Sequence, residues 1–282
     1  MKIFNSIAEL RLELDSQRHI EQCVGLVPTM GNLHAGHMRL IEEAVQNCDF
    51  IVSTIFVNPL QFGPDEDLQA YPRTLKEDLS KLIAAGCHCV LEPSVDELFG
   101  SNLESQTTIH VPSISDIHCG RHRPGHFDGV ATVVCKLFNI INPNKAFFGL
   151  KDYQQFLIIQ KLVADLAFET ELIGVETVRE ENGLALSSRN SYLSKQELEQ
   201  AATIFENLNE AALKIQQGQK DFQDLEQQAI ISITEAGLQS DYFSICHAQT
   251  LEPAKISDSD IVILAAAYLG TTRLIDNIRI SI

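Results

Sequence analysis

Residues 23–45 constrain the fold of this 282-residue chain more than any other segment. An apolar run at 23–27 predicts a buried strand, Gly31 begins a turn, and apolar residues recur at helical spacing from Met38 to Val45. A helix that begins directly after a strand points unpaired N–H groups and its positive dipole end into one crevice. The segment therefore predicts a strand, a turn and a helix that together bind a phosphate group.

Strand and helix patterns alternate along the first part of the chain. Residues 49–57 form a continuous apolar and β-branched run, which is typical of a strand buried on both faces of a parallel sheet. The further predicted elements are helices at 75–86, 128–142 and 153–168 and a short strand at 146–148. This alternation predicts an α/β fold with a doubly wound parallel sheet that binds ligands at the carboxyl ends of its strands.

The pattern changes after about residue 176. Two polar-faced helices are predicted at 195–217 and 221–236, and strands follow at 242–246, 261–268 and 273–280. Strands that follow one another without helices favour a small antiparallel α+β unit. We therefore predict two closely packed domains, 1–176 and 177–282, with the active site in the crevice between them.

Composition and charge narrow the class of protein. Hydrophobic residues make up 45% of the chain and charged residues 21%, and the mean hydropathy is near zero, as in a globular protein. A formal net charge of −17 and a pI of about 4.8 argue against a nucleic-acid partner, because phosphate contacts along a nucleic acid need a basic surface. A bound polyphosphate must be held by local positive charges, for which the candidates are Arg121, Arg123, Lys151, Arg189 and the histidines.

Neither a secretion signal nor a membrane segment is expected. Residues 1–10 lack the apolar core of roughly 7–15 residues found in signal peptides, and no run approaches roughly 18 apolar residues. Seven cysteines without a secretion signal predict reduced thiols and a cytoplasmic protein. Residues 87–89 read Cys-His-Cys, but consecutive strand positions point to opposite faces, so buried thiols are a better interpretation than zinc ligands.

Two pairs of polar residues lie near the predicted phosphate turn. His34 and His37 are three residues apart at the helix start and would present two ring donors to the same phosphates, although a surface pair or half a metal site is the alternative. Asn58 and Gln61 follow the strand at 49–57 and could bind hydroxyl and carboxylate groups of a small ligand. Turn chemistry alone is the alternative for that loop.

Three further segments carry functional groups at predicted element ends. Lys151 and Gln155 lie where a strand meets the next helix, and a capping Asp152 beside a solvated lysine is the alternative. The loop 121–127 contains two arginines and two histidines and is the kind of mobile basic segment that can close over an anion. Residues 187–189 offer two hydroxyls and a guanidinium.

Seven motifs carry a family resemblance between residues 27 and 277: V-P-T-M-G-N-L-H-A-G-H, F-V-N-P-L-Q-F, Y-P-R-T-L, R-P-G-H-F-D-G-V, F-F-G-L-K-D-Y-Q-Q, L-S-S-R-N and L-I-D-N. In these motifs and in their order the chain resembles the pantothenate synthetase family. The first motif is also similar to the H-x-G-H motif of the wider nucleotidyltransferase superfamily. The resemblance covers nearly the whole chain.

The resemblance implies an activity. It implies ATP-dependent condensation of pantoate with β-alanine to give pantothenate, AMP and pyrophosphate, through an enzyme-bound pantoyl adenylate. It also implies a cytoplasmic, Mg²⁺-requiring homodimer with a Rossmann-like N-terminal domain and a smaller C-terminal α+β lid domain. The expected partners are therefore ATP, pantoate and β-alanine, with no nucleic acid and no membrane.

The resemblance also implies roles for residues. His37 would be the catalytic histidine, and Lys151 and the two histidines, His34 and His37, would stabilise charge on the α-phosphate and the departing pyrophosphate. The implied ATP site consists of Met30, Gly31, Asn32, Leu33, His34, Ala35, Gly36, His37, Gly149, Leu150, Lys151, Asp152, Val178, Leu186, Ser187, Ser188 and Arg189. The implied substrate residues are Gln61, Gln155, Asn58 and Thr29, and Arg123 and His126 would belong to the closing loop. No protein ligand is implied for the metal.

Three features depart from related patterns. Leu150 stands where the family usually has Glu, which removes a negative charge beside Lys151. His247 stands at a lid-strand position that is often acidic, which changes the packing expected there. Residues 187–189 also lack the lysine of the K-M-S-K-S loop of aminoacyl-tRNA synthetases.

Two other functions are the alternatives. A nucleotidylyltransferase that adenylates a phosphate would need a second basic site in place of the amides of Gln61 and Gln155. A nucleotide-binding protein without activity would be expected to have lost His34, His37 or Lys151, and all three are present.

Overall fold

The computed structural model describes residues 1–64 and 66–282 and divides into two compact units. The first unit consists of Met1–Leu150 and Gln155–Glu176. The second consists of Lys151–Gln154 and Thr177–Ile282. The four residues Lys151–Gln154 therefore belong to the second unit, although the chain on both sides of them belongs to the first.

A parallel sheet forms the centre of the first unit. Its strands in the described ranges are β1 (Lys2–Phe4), β2 (Val24–Thr29), β3 (Phe50–Ile55), β4 (Cys89–Leu91), β5 (Lys145–Gly149) and β6 (Glu171–Val175). They lie in the order β1-β4-β3-β2-β5-β6, and every neighbouring pair is parallel. The chain proceeds from β2 towards one edge and then adds β5 and β6 on the other side. The topological switch point, where folds of this type bind ligands, therefore lies between β2 and β5.

Helices cover both faces of this sheet. They are α1 (Ile7–Arg18), α2 (Ala35–Asn47), α3 (Leu75–Ala84), α4 (Val95–Phe99), α5 (Cys119–His122), α6 (His126–Ile141) and α7 (Tyr153–Asp165), with 3₁₀ turns at Pro59–Gln61, Leu103–Ser105 and Leu150–Asp152. Leu26 and Val27, neighbours on β2, belong to different apolar clusters. The cluster at Leu26 includes residues of α1 and α6, and the cluster at Val27 includes residues of α2 and α3. The predicted doubly wound α/β fold is confirmed.

An antiparallel sheet with helices forms the second unit. The strands β7 (Gln239–His247), β8 (Asp260–Leu269) and β9 (Thr272–Ser281) lie in that order, and both pairs are antiparallel. The other elements are α8 (Lys195–Ala201), α9 (Thr203–Gln216), α10 (Phe222–Glu235) and a 3₁₀ helix at Ser188–Tyr192. One apolar cluster joins α9, α10 and the three strands, so the predicted small α+β unit is confirmed. Across both units, none of the described helices is long and apolar enough to cross a membrane.

The single helix predicted at 195–217 is wrong, because α8 and α9 meet at Ala202. The Ala202 N–H bonds to the Glu199 carbonyl, three residues back, which tightens the chain into a turn. Ala201 and Ala202 are both buried, so the apolar pattern continues across the break. Hydrophobic periodicity alone could not reveal it.

Candidate active site

One buried carboxylate holds the turn between β2 and α2. Asp78 on α3 is fully buried, and its two oxygens accept the N–H groups of Asn32 and Leu33, each at 2.8 Å. Gly31 and Asn32 have left-handed backbones with φ of +83° and +50°. Lys81, also on α3, donates to the Leu33 carbonyl at 2.6 Å. Helix α3 therefore fixes the shape of the turn, and the Asn32 and Leu33 N–H groups bind Asp78 instead of remaining unpaired as the sequence predicts for a phosphate site.

Thr29, the last residue of β2, is hydrogen-bonded to backbone groups of β3 and of the turn. The Thr29 hydroxyl donates to the Thr54 carbonyl at 2.6 Å and accepts the Gly31 N–H at 3.2 Å. The next residue, Met30, is half-buried, and its sulfur accepts a bond from the Gln61 amide at 3.0 Å. Thr29 therefore shapes the turn, while Met30 contacts the predicted pantoate residue.

The two histidines form the start of α2. His34 is the N-cap residue, and its Nδ1 accepts the Gly36 N–H at 3.1 Å. The His37 Nδ1 accepts the His34 N–H at 3.2 Å, and the ring centroids are 4.1 Å apart. Because each Nδ1 accepts a bond, each neutral ring carries its proton on Nε2. The structure thus brings the two histidines together with Ala35 in the first turn, and each ring directs an Nε2–H donor away from the helix backbone.

The predicted pantoate loop is held by a buried asparagine. Asn58 is 1% exposed, and its amide donates to Gln61 Oε1 at 3.1 Å and to the Gly129 carbonyl at 3.0 Å. Its Oδ1 accepts the Leu60 N–H at 3.2 Å. A Cβ on Gly129 would lie 2.2 Å from the Leu60 carbonyl oxygen. The backbone of α6 at Gly129 therefore packs directly against the backbone of this loop at Leu60. The Asn58 side chain orients Gln61, which makes Gln61 the better candidate for direct substrate contact.

Arg123 and His126 hold the same loop. Arg123 donates to both carboxylate oxygens of Glu66 at 2.6 Å and to the Gln61 carbonyl at 3.3 Å. His126 Nδ1 lies 2.7 Å from the Gln61 carbonyl, and its Nε2 lies 2.9 Å from Arg123 Nη1. A carbonyl only accepts and a guanidinium only donates, so Nδ1 carries the proton and Nε2 accepts. The basic loop therefore differs in one respect from the sequence prediction of a segment that closes over an anion. The charge of Arg123 is paired with Glu66.

The ion pair with Arg123 also shifts the pKa of Glu66. Burial alone would raise the pKa of its carboxyl, but the hydrogen bonds and charge of Arg123 lower the pKa overall. The carboxylate stays ionised and paired at neutral pH.

The end of β5 explains one departure from the family pattern. Leu150 is 5% exposed, and a Cβ on Gly174 of β6 would lie 2.6 Å from Leu150 Cδ2. Leu150 therefore packs against the sheet, where a charged side chain would be costly. Around Gly149 a Cβ would meet no atom within 4 Å, and Gln155 is half-buried in the first turn of α7. Because β3 and β5 flank β2, the segments that carry Gln61 and Gln155 start on opposite sides of the phosphate turn.

The second unit holds the predicted catalytic lysine. The Asn277 amide on β9 donates to the Lys151 carbonyl at 2.8 Å, and Asn277 is buried. Its neighbour Asp276 forms a two-bond ion pair with Arg179 at 2.5 and 2.9 Å. Burial raises the pKa of Asp276, and the bonds and charge of Arg179 oppose that shift. Lys151 Nζ lies 3.9 Å from the Asp152 carboxylate, and its side chain is 18% exposed.

The remaining predicted nucleotide residues lie on one hairpin of the second unit and on the 3₁₀ helix that follows it. The Leu186 N–H bonds to the Val178 carbonyl at 3.0 Å. Ser187 then caps the 3₁₀ helix that begins at Ser188, because its hydroxyl accepts the Arg189 N–H at 3.3 Å. Val178, Leu186 and the hydroxyl residues are thus brought together, and the Arg189 side chain is half-buried.

His247 has a structural role at the end of β7. Its Nδ1 accepts the N–H groups of Gln249 and Thr250 at 3.3 and 3.4 Å. A carboxylate could accept the same bonds, which explains how a histidine fits at a position that is often acidic.

Sequence reasoning missed Asp78, Asn277 and Glu66. A signal existed for Asp78, because it falls on the helix face of Leu75, Leu79 and Leu82, where a charge needs a partner. Asn277 belongs to the quoted L-I-D-N motif, but nothing local shows that its partner lies 126 residues away. Glu66 carried no signal.

Comparison with known proteins identifies the protein family that the chain resembles. The family model described as pantoate-beta-alanine ligase matches residues 2–279. The chain is 50% identical over 281 residues to the pantothenate synthetase of Marinobacter nauticus, with 100% of both chains covered. It is similar to the crystal structure of pantothenate synthetase from Thermus thermophilus, with a TM-score of 0.92, 39% identity and 99% of both chains covered. It is also similar to the Francisella tularensis pantoate-beta-alanine ligase complexed with beta-gamma ATP and beta-alanine, with a TM-score of 0.82, 34% identity and coverage of 99% and 97%.

Proposed function

The chain belongs to the pantoate-beta-alanine ligase family, and from this membership we propose that it joins pantoate to β-alanine through a pantoyl adenylate, releasing AMP and pyrophosphate. The observation that carries the mechanism is the pair of Nε2–H donors that His34 and His37 direct from the start of α2. The F. tularensis relative was crystallised with an ATP species and β-alanine, which supports the same substrates here.

Two displacements complete the proposed reaction. A carboxylate oxygen of pantoate attacks the α-phosphorus of ATP, and pyrophosphate leaves. The amine of β-alanine then attacks the acyl carbon and loses a proton, and AMP leaves with one former carboxylate oxygen. Because phosphate transfer needs little covalent help, the protein contributes positioning and charge stabilisation.

We assign the charge stabilisation to three side chains. His34 and His37 donate from Nε2 to phosphate oxygens while their Nδ1 atoms stay bonded to the helix start. Lys151 provides the positive charge for the α-phosphate and for the departing pyrophosphate. Donors that are already oriented stabilise a developing charge without reorganisation. The residues Met30–His37, Gly149–Asp152, Val178 and Leu186–Arg189 are proposed to surround the nucleotide.

We assign pantoate to the amides of Gln61 and Gln155. Three neighbours of Gln61 fix it in place, since Asn58 binds its amide oxygen and Arg123 and His126 bind its carbonyl. In this proposal Asn58 and Thr29 are positioning groups. An anion that approaches Arg123 has to compete with Glu66, so we place Arg123 in support of the loop.

The second unit is proposed as the lid over the nucleotide, with the functional domains dividing at 176/177. An acyl adenylate is quickly lost to water unless the site excludes it, which gives such a lid a task.

The metal, the assembly and the compartment are also proposals. No group of three His, Cys, Asp or Glu side chains in residues 1–64 and 66–282 is arranged to hold a metal. We propose that Mg²⁺ is held mainly by triphosphate oxygens and water, where the metal would neutralise phosphate charge.

We further propose a homodimer, to be tested by light scattering across concentrations. Seven free thiols support a cytoplasmic location.

The decisive experiment follows the carboxylate oxygen of pantoate with an isotope label. Stoichiometric enzyme is mixed with ATP, Mg²⁺ and pantoate labelled with ¹⁸O in its carboxylate, and β-alanine is added afterwards. We expect pyrophosphate before β-alanine is added, and one label in AMP afterwards. Label found only in pantothenate, or in inorganic phosphate, would exclude the adenylate. ATP turnover with a phosphorylated acceptor and none with pantoate would exclude the proposed substrate.

A further inference from the structure

Two cysteines meet at the end of the β2–α2 unit that is remote from the phosphate turn. Cys23 directly precedes β2, and Cys48 is the C-cap residue of α2. Their Sγ atoms are 3.3 Å apart, and both residues are half-buried. None of the seven cysteines, all within the described residues, forms a disulfide. Neither member of this dithiol has a role in the proposed reaction.

Side-chain directions aim the two sulfurs at each other. Cys23 and Gly25 are two residues apart in an extended segment, so they point to the same face. A Cβ on Gly25 would lie 3.0 Å from the Cys48 Sγ and 3.2 Å from its Cβ. The Cys48 side chain therefore occupies the space that Gly25 leaves, on the face towards which Cys23 points.

Backbone bonds fix the chain on both sides of the dithiol. The Cys23 carbonyl accepts the N–H groups of Asp49 and Phe50 at 3.0 and 3.1 Å. The Cys23 N–H donates to the Asp49 carboxylate at 2.9 Å, and the Cys48 N–H donates to the Ala44 carbonyl at 2.9 Å. The sulfurs have to approach from 3.3 Å to the about 2.05 Å of a disulfide, a change that side-chain rotation can supply.

We propose that Cys23 and Cys48 form a modification site that a low-molecular-weight disulfide, such as oxidised glutathione, converts reversibly into an intramolecular disulfide. The Cys23 thiolate attacks one sulfur of the reagent and displaces a thiolate, which gives a mixed disulfide. Cys48 then loses its proton to solvent and attacks the Cys23 sulfur, which displaces the second thiolate. Two protein thiols are oxidised, and one reagent disulfide is reduced to two thiols.

The order of attack follows from the surroundings of Cys48. Burial, together with the hydrogen bond and charge of Cys23, raises the pKa of the Cys48 thiol to about 12. Cys48 is therefore a poor first nucleophile, and it reacts only when the mixed disulfide is held beside it.

The disulfide would close a loop that contains the whole phosphate turn. Residues 24–47 lie between the two cysteines, and His34 and His37 are among them. The sulfurs are bonded near the start of the strand and the end of the helix, so the histidine rings keep their contacts. We expect the oxidised protein to keep its kcat and to resist unfolding, because the cross-link restricts the unfolded chain.

The test oxidises the full-length protein in buffers with different ratios of reduced to oxidised glutathione. Peptide mapping by mass spectrometry is expected to show one Cys23–Cys48 linked peptide, which dithiothreitol removes. The Tm of the oxidised protein is expected to rise by about 5–10 °C. Cys135→Ser, which removes another half-buried thiol, is the matched control and should form the same link.

Single variants complete the design. Cys23→Ser and Cys48→Ser should each abolish the linked peptide and the gain in Tm. A stable glutathione adduct on Cys23 without closure, a link between other cysteines, or no link at all in wild-type protein would each overturn the proposal. The wild-type peptide map decides the question even if a variant fails to fold.

Discussion

At the scale of single residues, the proposed chemistry depends on ring nitrogens. His37 uses Nδ1 to accept the His34 N–H at the helix start, and in the proposed mechanism its Nε2–H donates to the ligand. In His37→Asn, Oδ1 can replace Nδ1 as acceptor, but no group replaces Nε2. We expect kcat to fall by about 10²–10³, equivalent to about 3–4 kcal/mol, with little change in Tm. Steady-state assays and thermal melts measure both quantities.

His37→Gln is the matched variant, because its amide nitrogen reaches the position of Nε2. It should recover part of the lost rate, but it loses the hydrogen bond to the His34 N–H at the helix start. An activity of His37→Asn within about threefold of wild type would count against the mechanism.

Asp78 offers a second test at this scale. In Asp78→Asn one acceptor becomes an NH₂ group that faces backbone N–H donors. We expect the free energy of unfolding to fall by about 2–3 kcal/mol and the KM for ATP to rise, because the phosphate turn loses its support. Glu77→Gln removes the exposed neighbouring carboxylate and should change neither quantity. If both variants behave alike, Asp78 does not position the turn.

At the scale of elements, the contact between α6 and the Pro59–Gln61 turn depends on Gly129. A methyl group there would overlap the Leu60 carbonyl, so Gly129→Ala must displace the turn that carries Gln61. We expect the KM for pantoate to rise by about tenfold or more, and stability to fall by about 1–3 kcal/mol. Gly63→Ala, whose Cβ would meet Glu66 only at 3.7 Å, is the control. An unchanged KM in Gly129→Ala would exclude this contact as a determinant of pantoate binding.

The Glu66–Arg123 pair gives the same loop a pH dependence. Because the pKa of Glu66 is lower in the folded protein than its ordinary value of 4.5, the pair stabilises the fold above that pH. Its contribution is lost as the pH falls from 4.5 through the lowered value. We expect the difference in Tm between wild type and Glu66→Gln to shrink over that range. A difference independent of pH would contradict the ion pair.

The elements also show how far sequence patterns reach. Apolar runs predicted β2, β3 and β5 of the parallel sheet because strands buried on both faces need continuous apolar residues. The two edge strands β1 and β6 were not predicted, because most of their residues are exposed or half-buried. The break at Ala202 escaped prediction because Ala201 and Ala202 are both buried alanines, so the apolar pattern continues across it. Likewise, motif spacing predicted Gln61, but its carbonyl is bound by His126, and the Asn58 amide that orients it is bound to the Gly129 carbonyl. Only the folded sheet brings His126 and Gly129 near this loop.

At the scale of the whole molecule, excess negative charge opposes the compact state. The chain carries 38 acidic and 21 basic residues, a formal net charge of −17. Salt screens such repulsion over distances of about 10 Å at 0.1 M. We expect the Tm to rise as NaCl increases from about 0.01 to 0.3 M, by an amount that neutral solutes of equal osmolality do not reproduce. A falling Tm would show that attractive ion pairs dominate.

The assignment of Lys151–Gln154 to the second unit has a consequence for how the protein is made. Lys151 is anchored by Asn277, and 126 positions of chain separate the two. During synthesis the ribosome therefore completes the histidine turn long before it delivers the partner of the lysine. A nascent chain can have a finished phosphate turn and still lack an anchored Lys151. The last strand therefore completes the anchoring of Lys151 only after most of the chain has been translated.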